Sequence, residues 1–356
     1  MADITGTMAA ADCTFTGWDH GWNETITDAY NQVRVTEPLI TEDIMDVARS
    51  LGTSLEGLQY SVKTASSVED RLARMLSDWK SDRPFNPVWQ MGRITDLIRY
   101  TEICRHDDIV DTTRKTIAKM EEKGYALTNL RNFFARPFKN TGYMGVHLTF
   151  VSPAGQKLEL QVHSPESFEA KQKGHAMYEK IRSVSTMKDE KERLQAMVFA
   201  IHQSVRKPMG YEALQKYRMP PREEKELVKT RRKNLRVNIQ KSQSHPGTMV
   251  YTVSMKGKPV LHGFECRFSD DSMWSYRNIP DRENAMIRSI SADGCDVTSY
   301  AALPRRVSLG RAEQMTEEQE AFHAQWMHDN YPGGLDMDKE PSIAHTSRPD
   351  MDIISL

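Results

Sequence analysis

The stretch 143–163 constrains this chain most. Tyr143–Val151 and Gln156–His163 both alternate apolar with polar residues, and Ser152-Pro153-Ala154-Gly155 stands between them. A period of two marks a half-buried strand, and a Ser-Pro-x-Gly cluster marks a turn. The spacing therefore predicts an antiparallel hairpin. Its second strand sends Leu158, Leu160 and Val162 to one face and Glu159, Gln161 and His163 to the other. A strand glutamate in an antiparallel sheet usually faces water. Turned inward, it needs a partner or a metal to offset desolvation.

Helical periods surround the hairpin. Ile40, Ile44, Val47, Ala48 and Leu51 make one stripe, and Val68, Leu72, Met75, Leu76 and Trp79 make another behind a Ser66-Ser67 cap. Ile109–Lys123 ends at Gly124, a usual helix stop. Further helices are predicted over Phe168–Ser183, Lys188–Arg206 and Glu223–Ile239, and a strand over Ile94–Ile103. Residues 245–305 return to short β-type runs. Strands followed by helices in this order make an α+β chain. A chain of 356 residues has room for two domains.

Charge is unevenly placed, although the net is only −1. Lys171–Lys241 holds 19 basic and 8 acidic residues, and Arg311–Leu356 holds 3 and 10. The basic stretch reads either as a solvated helical face or as a contact for phosphates. No apolar run is long enough to span a membrane, and Met1–Ala11 lacks the basic and apolar regions of a secretory leader. Cys13, Cys104, Cys266 and Cys295 are too scattered for a zinc site and read as free thiols of a reducing compartment.

Lys63 precedes a helix whose first turns carry Ser66, Ser67, Arg71 and Arg74, the ingredients of a phosphate cradle. Asp96 and Glu159 are carboxylates in strand contexts and together could hold Mg²⁺. The order of these pieces carries more than any one of them: Val62-Lys-Thr-Ala-Ser-Ser-Val-Glu-Asp-Arg-Leu, Ile94-Thr-Asp-Leu-Ile, Asn140-Thr-Gly-Tyr-Met-Gly-Val-His-Leu, Leu158-Glu-Leu-Gln-Val-His-Ser, then Gly174-His-Ala-Met-Tyr-Glu. Over about residues 40–185 this set resembles the synthetase domain of the RelA/SpoT family of nucleotide pyrophosphokinases.

The resemblance implies a mixed β-sheet, nucleotidyltransferase-like domain flanked by helices. It also implies transfer of the β,γ-pyrophosphate of ATP to the 3′-hydroxyl of an acceptor, either GDP or GTP, an adenosine nucleotide or the end of tRNA. By motif, Lys63, Ser67, Arg71 and Arg74 would hold ATP phosphates. Asp96 and Glu159 would bind Mg²⁺, with Glu159 the catalytic acid that activates the hydroxyl and Gln161 its support. Tyr143 would stack on the acceptor base, and His147, His175 and Tyr178 would shape that pocket. The chain departs from the family after Asp96, where Arg99 replaces the usual Gly and Thr101 the usual Arg. Arg93, Arg99 and Arg105 are the nearby cations expected to replace the lost one, and Arg99 is counted with the residues that bind ATP. The departures keep a second reading open, an inactive fold that binds nucleotide or RNA.

On this reading residues 1–36 form an N-terminal arm, 37–206 the synthetase-like domain, and 207–244 a basic helical linker. Residues 245–330 form a small β-rich module with a terminal helix, and 331–356 a disordered acidic tail. The hydrolase domain that long family members carry is not visible, which suits a toxin or effector acting in the cytoplasm, delivered there by secretion and held in check by an antitoxin or immunity protein.

Overall fold

The computed structural model describes residues 20–183, 186–241, 248–267, 273–278, 284–290 and 296–302. In chain order the elements are α1 (His20–Leu51), β1 (Ser54–Glu56), α2 (Ala65–Ser77), α3 (Pro87–Met91), β2 (Arg99–Ile103), α4 (Ile109–Glu122), β3 (Ala126–Asn132), β4 (Val146–Val151), β5 (Lys157–His163), α5 (Pro165–Arg182), α6 (Lys188–Gln203), β6 (Tyr217–Arg218) and α7 (Pro221–Arg232). Six further strands follow: β7 (Leu235–Lys241), β8 (Thr248–Met255), β9 (Lys258–Arg267), β10 (Met273–Asn278), β11 (Asn284–Ile290) and β12 (Asp296–Ala302). The fold class is the α+β expected, with a mixed sheet flanked by helices and a separate antiparallel sheet.

The chain divides into two units, one of them Ile40–Lys63 with Gly92–Arg232. Its sheet has the order β1-β2-β5-β4-β3-β6. The predicted hairpin is β4–β5, with Leu148 opposite Leu160 and Thr149 opposite Glu159. β2 runs parallel to β5, and the other neighbours are antiparallel. Every residue of β5 after Lys157 is buried, because helices cover both faces. On one face Thr116 of α4 donates to Glu102, and Thr41 of α1 hydrogen-bonds Tyr100. On the other, α5 reaches Gln161 and His163, beside α6 with its buried Leu194, Val198 and His202. A reciprocal Ser164–Ser167 capping box, with Pro165 in the first turn, starts α5 immediately after β5.

The other unit comprises Met1–Leu39, Thr64–Met91 and Lys233–Leu356. Its sheet is an antiparallel meander, β7 to β12 in sequence order. Val35 and Leu39 pack with Leu235, Val237, Ile239, Tyr251, Val253, Val260 and Leu261 as its described core.

Several sequence expectations change. The helix expected to run through Ile40–Leu51 begins at His20, so residues 20–36 of the expected arm are helix. Buried Ile26, Tyr30 and Val33 form its stripe, in a segment whose polar composition conceals it. Ile94–Ile103 is not one strand: only Arg99–Ile103 pairs, and Asp96 lies in the turn before it. Ile94, Leu97 and Ile98 are all buried, which mimics a strand without its alternation. Thr64, rather than Ser66-Ser67, caps α2. The helix expected over Glu223–Ile239 stops at Arg232, and Leu235, Val237 and Ile239 then alternate on β7. The expected 207–244 linker thus contains β6, α7 and β7. The acidic tail 331–356 lies outside the described residues.

Part of the basic stretch has a structural use. Arg231 donates to the Val151 and Ser152 carbonyls, and Arg232 to the Gly155 carbonyl, so α7 clamps the β4–β5 turn. Lys157 also pairs with Glu224. Gly155 sits at φ 76°, and a Cβ there would come 2.9 Å from both the Arg232 nitrogen and the Val228 oxygen. Gly155→Ala should therefore lose about 1–2 kcal/mol from backbone strain. Urea denaturation should show a lower midpoint at unchanged slope.

Candidate active site

β5 carries the centre of the site. Glu159, Gln161 and His163 share one face, as their spacing requires, and all three are buried. Gln161 Nε2 donates to Glu159 Oε1 at 2.7 Å. Arg131 Nη2 donates to Glu159 Oε2 at 3.1 Å, and His147 Nδ1 lies 3.3 Å from the same oxygen. Burial alone would push this carboxyl up. His147, the Gln161 amide and Arg131 outweigh that and hold it well below the usual carboxylate range.

The network continues in two directions from Glu159. Through His147 it reaches Tyr143, whose hydroxyl lies 2.7 Å from His147 Nε2 and 2.9 Å from His163 Nε2. His163 Nδ1 lies 2.9 Å from Ser167 Oγ, in the cap of α5. Gly145 makes this approach possible: a Cβ there would meet His163 Cε1 at 2.7 Å and the Tyr143 hydroxyl at 3.0 Å. Phe133, His147, His163 and His202 surround the Tyr143 ring edge-on. Burial, with the Glu159 charge adding to it, pushes the phenol well above its usual range. Burial also pushes His163 well below its own, so that ring is neutral.

In the other direction lies Lys171. Its ammonium donates to Gln161 Oε1 at 2.7 Å and to Thr101 Oγ1 at 3.3 Å, and stands 5.3 Å from the Phe168 ring centre. Burial pushes it down to about 7, with Arg99 acting the same way and Glu159 opposing. Arg99 is directly opposite Glu159 in the parallel register of β2 and β5.

Asp96 pairs with Lys63 at 3.0 Å. The Glu159 amide donates to the carbonyl of Ile98, two residues beyond Asp96, so Asp96 stands in the turn just ahead of the strand that pairs with β5. Among the described residues no three His, Cys, Asp or Glu side chains gather as a metal cluster. Two carboxylates completed by phosphate oxygens and water are nevertheless a donor set that suits Mg²⁺.

Of the residues expected from sequence, the structure therefore joins Glu159, Gln161, His147 and Tyr143 in one network, with Arg99 in register, and joins Lys63 to Asp96. Ser67, Arg71 and Arg74 lie on α2, in the other unit, where Thr64 caps the helix through the Ser67 amide. His175 and Tyr178 are exposed on α5, and Arg182 lies over the Tyr178 ring. Arg105 is exposed and paired with Asp108.

Sequence reasoning missed Arg131, Lys171 and His202. β3 was unrecognised because its buried positions are Thr128, Leu130 and Asn132, two of them polar. For Lys171 a signal existed: it falls on the stripe Ser167, Ala170, Gly174 that α5 buries.

No protein-family model matches the chain, and no curated protein does. Among solved structures, it is similar to small alarmone synthetase 1 from Bacillus subtilis at 19% identity, covering 52% of this chain and 92% of that one, with a TM-score of 0.36. Small alarmone synthetase 2 from the same organism gives 16%, 52%, 91% and 0.34. The complex between the Type VI effector Tas1 and its immunity protein gives 20%, 51%, 95% and 0.33. Likenesses this distant carry no argument about activity.

His202 gives a pH prediction. Burial pushes it down to about 4. The unfolded chain then binds a proton that the folded one refuses, so stability falls as pH drops from about 6.5 to about 4. His202→Leu should flatten this part of the acid slope in thermal melts across that window.

Proposed function

We propose that this chain is a Mg²⁺-dependent pyrophosphokinase of the RelA/SpoT kind, using ATP as donor and the 3′-hydroxyl of a purine nucleotide or a tRNA end as acceptor. The observation that carries the reading is Glu159: a buried carboxylate kept ionised by His147, Gln161 and Arg131, on the strand parallel to the one that Asp96 precedes. The ordered sequence motifs support it independently.

In the proposed reaction the acceptor hydroxyl attacks the β-phosphorus of ATP, the bond from that phosphorus to the α–β bridging oxygen breaks, and AMP leaves. Glu159 accepts the hydrogen bond of the attacking hydroxyl and so aligns its lone pair, and the hydroxyl proton is released to water as the new O–P bond forms. Gln161 fixes the carboxylate from one side, and His147 and Arg131 from the other. Such transfer depends on in-line positioning and charge neutralisation more than on covalent chemistry. Asp96 and Glu159 are the residues that would hold Mg²⁺, which supplies charge neutralisation at the phosphates. Lys63, paired with Asp96 here, is the cation that would turn to a phosphate when that carboxylate binds Mg²⁺. Tyr143, His147, His175 and Tyr178 remain the proposed acceptor side.

An effector restrained by an immunity partner is the setting we propose. No helix among the described residues is long and apolar enough to cross a membrane.

The test is incubation with γ-labelled ATP, Mg²⁺ and GDP, GTP, AMP, ADP, ATP or bulk tRNA. Label should move to one acceptor with release of AMP. Glu159→Gln should lower kcat by a factor of about 10²–10⁴ in a protein that still folds, with a lower melting temperature because Arg131 loses its buried partner. Binding of nucleotide without transfer to any acceptor would favour the inactive, nucleotide-binding alternative, and Asp96→Asn should then leave affinity intact.

A further inference from the structure

Lys171 and Arg99 leave the Glu159 side of the sheet with more positive charge than it can use. Arg131 already holds one oxygen of Glu159, Arg99 lies opposite Glu159 in register, and Lys171 feels the charges of both Arg99 and Glu159. Asp96 is no remedy, being paired with Lys63. Lys171 donates only to neutral oxygens, those of Gln161 and Thr101. Among the described residues the Arg99 guanidinium makes no ion pair or hydrogen bond, although it lies opposite Glu159 in register. Burial and like charge both disfavour the charged form of a lysine, and an anion beside it restores that form.

Resting on the pyrophosphokinase reading, we propose that Lys171, with Arg99 beside it, binds a phosphate of the nucleoside triphosphate against the Glu159 end of β5. The ligand class is a polyphosphate chain, in which adjacent phosphate oxygens can meet two cations at once. Such an anion would also oppose the burial and the Arg99 charge that together push the Lys171 ammonium down. Lys171 approaches from α5, and its hydroxyl partner is Thr101, so the cation comes from the helix and not from the strand.

A purely structural role is the rival: Lys171 as a strut that orients the Gln161 amide. Two substitutions separate the roles. Lys171→Gln keeps a donor for Gln161 Oε1 and removes the charge, whereas Lys171→Arg keeps the charge. The readout is the ratio of AMP to ATP dissociation constants, measured by calorimetry on the full chain at low salt. A ratio cancels any general loss of affinity.

A phosphate-binding role requires a wild-type preference for ATP that falls at least about tenfold in Lys171→Gln and persists in Lys171→Arg, the range expected for one charge-assisted hydrogen bond. A wild-type preference that Lys171→Gln retains overturns the proposal and leaves the pyrophosphokinase reading standing. Equal affinity of the wild type for ATP and AMP overturns both.

Discussion

The interaction on which the rest of this architecture depends is the enclosure of one negative charge. Glu159 is buried in the central strand of a sheet covered on both faces, where an isolated carboxylate would cost several kcal/mol. Its neighbours are arranged to prevent that cost. Gln161 comes from the same strand, His147 from β4, Arg131 from β3, and Lys171 from α5 by way of Gln161. Four elements are therefore held in register by a group that would otherwise destabilise them. The parallel pairing of β2 with β5 adds Arg99 and places Asp96 just ahead of the same strands.

How much of this was legible depended on whether burial coincided with hydrophobicity. The β4–β5 hairpin was readable because Leu158, Leu160 and Val162 repeat at a period of two and a Pro-Gly turn separates the strands. α4 was readable for a similar reason, its end marked by Gly124 at φ 84°. β3 was not, since it buries Thr128 and Asn132, polar residues that ordinary patterning assigns to solvent. The first half of α1 was hidden the same way, and β7 was absorbed into a helix because a basic run masked its alternation.

The site followed the same rule. Residues with a motif around them, Glu159, Gln161, His147 and Tyr143, could be named in advance. Residues that act through tertiary placement could not: Arg131 depends on an unseen strand, and His202 on α6 packing edge-on against Tyr143. Asp96 was found for its chemistry and misplaced in its element, since it precedes the strand instead of lying within it. Of the three arginines singled out near it in sequence, Arg99 shares the register of Glu159 and Arg105 points to solvent. One-dimensional spacing does not encode that difference when only five residues of the run pair as strand.

The close approach of His163 to Tyr143 across Gly145 ties together three positions, one on β5 and two in the loop before β4. Any side chain at 145 would occupy the space of the imidazole, and any smaller residue at 163 would leave that space empty. Neither position is then free to vary while the other stays fixed. In a lineage descending from this sequence, 145 and 163 should be inherited as a single character, and a chimera that takes the loop before β4 from one parent and β5 from another should fail at this seam before it fails anywhere else in the hairpin.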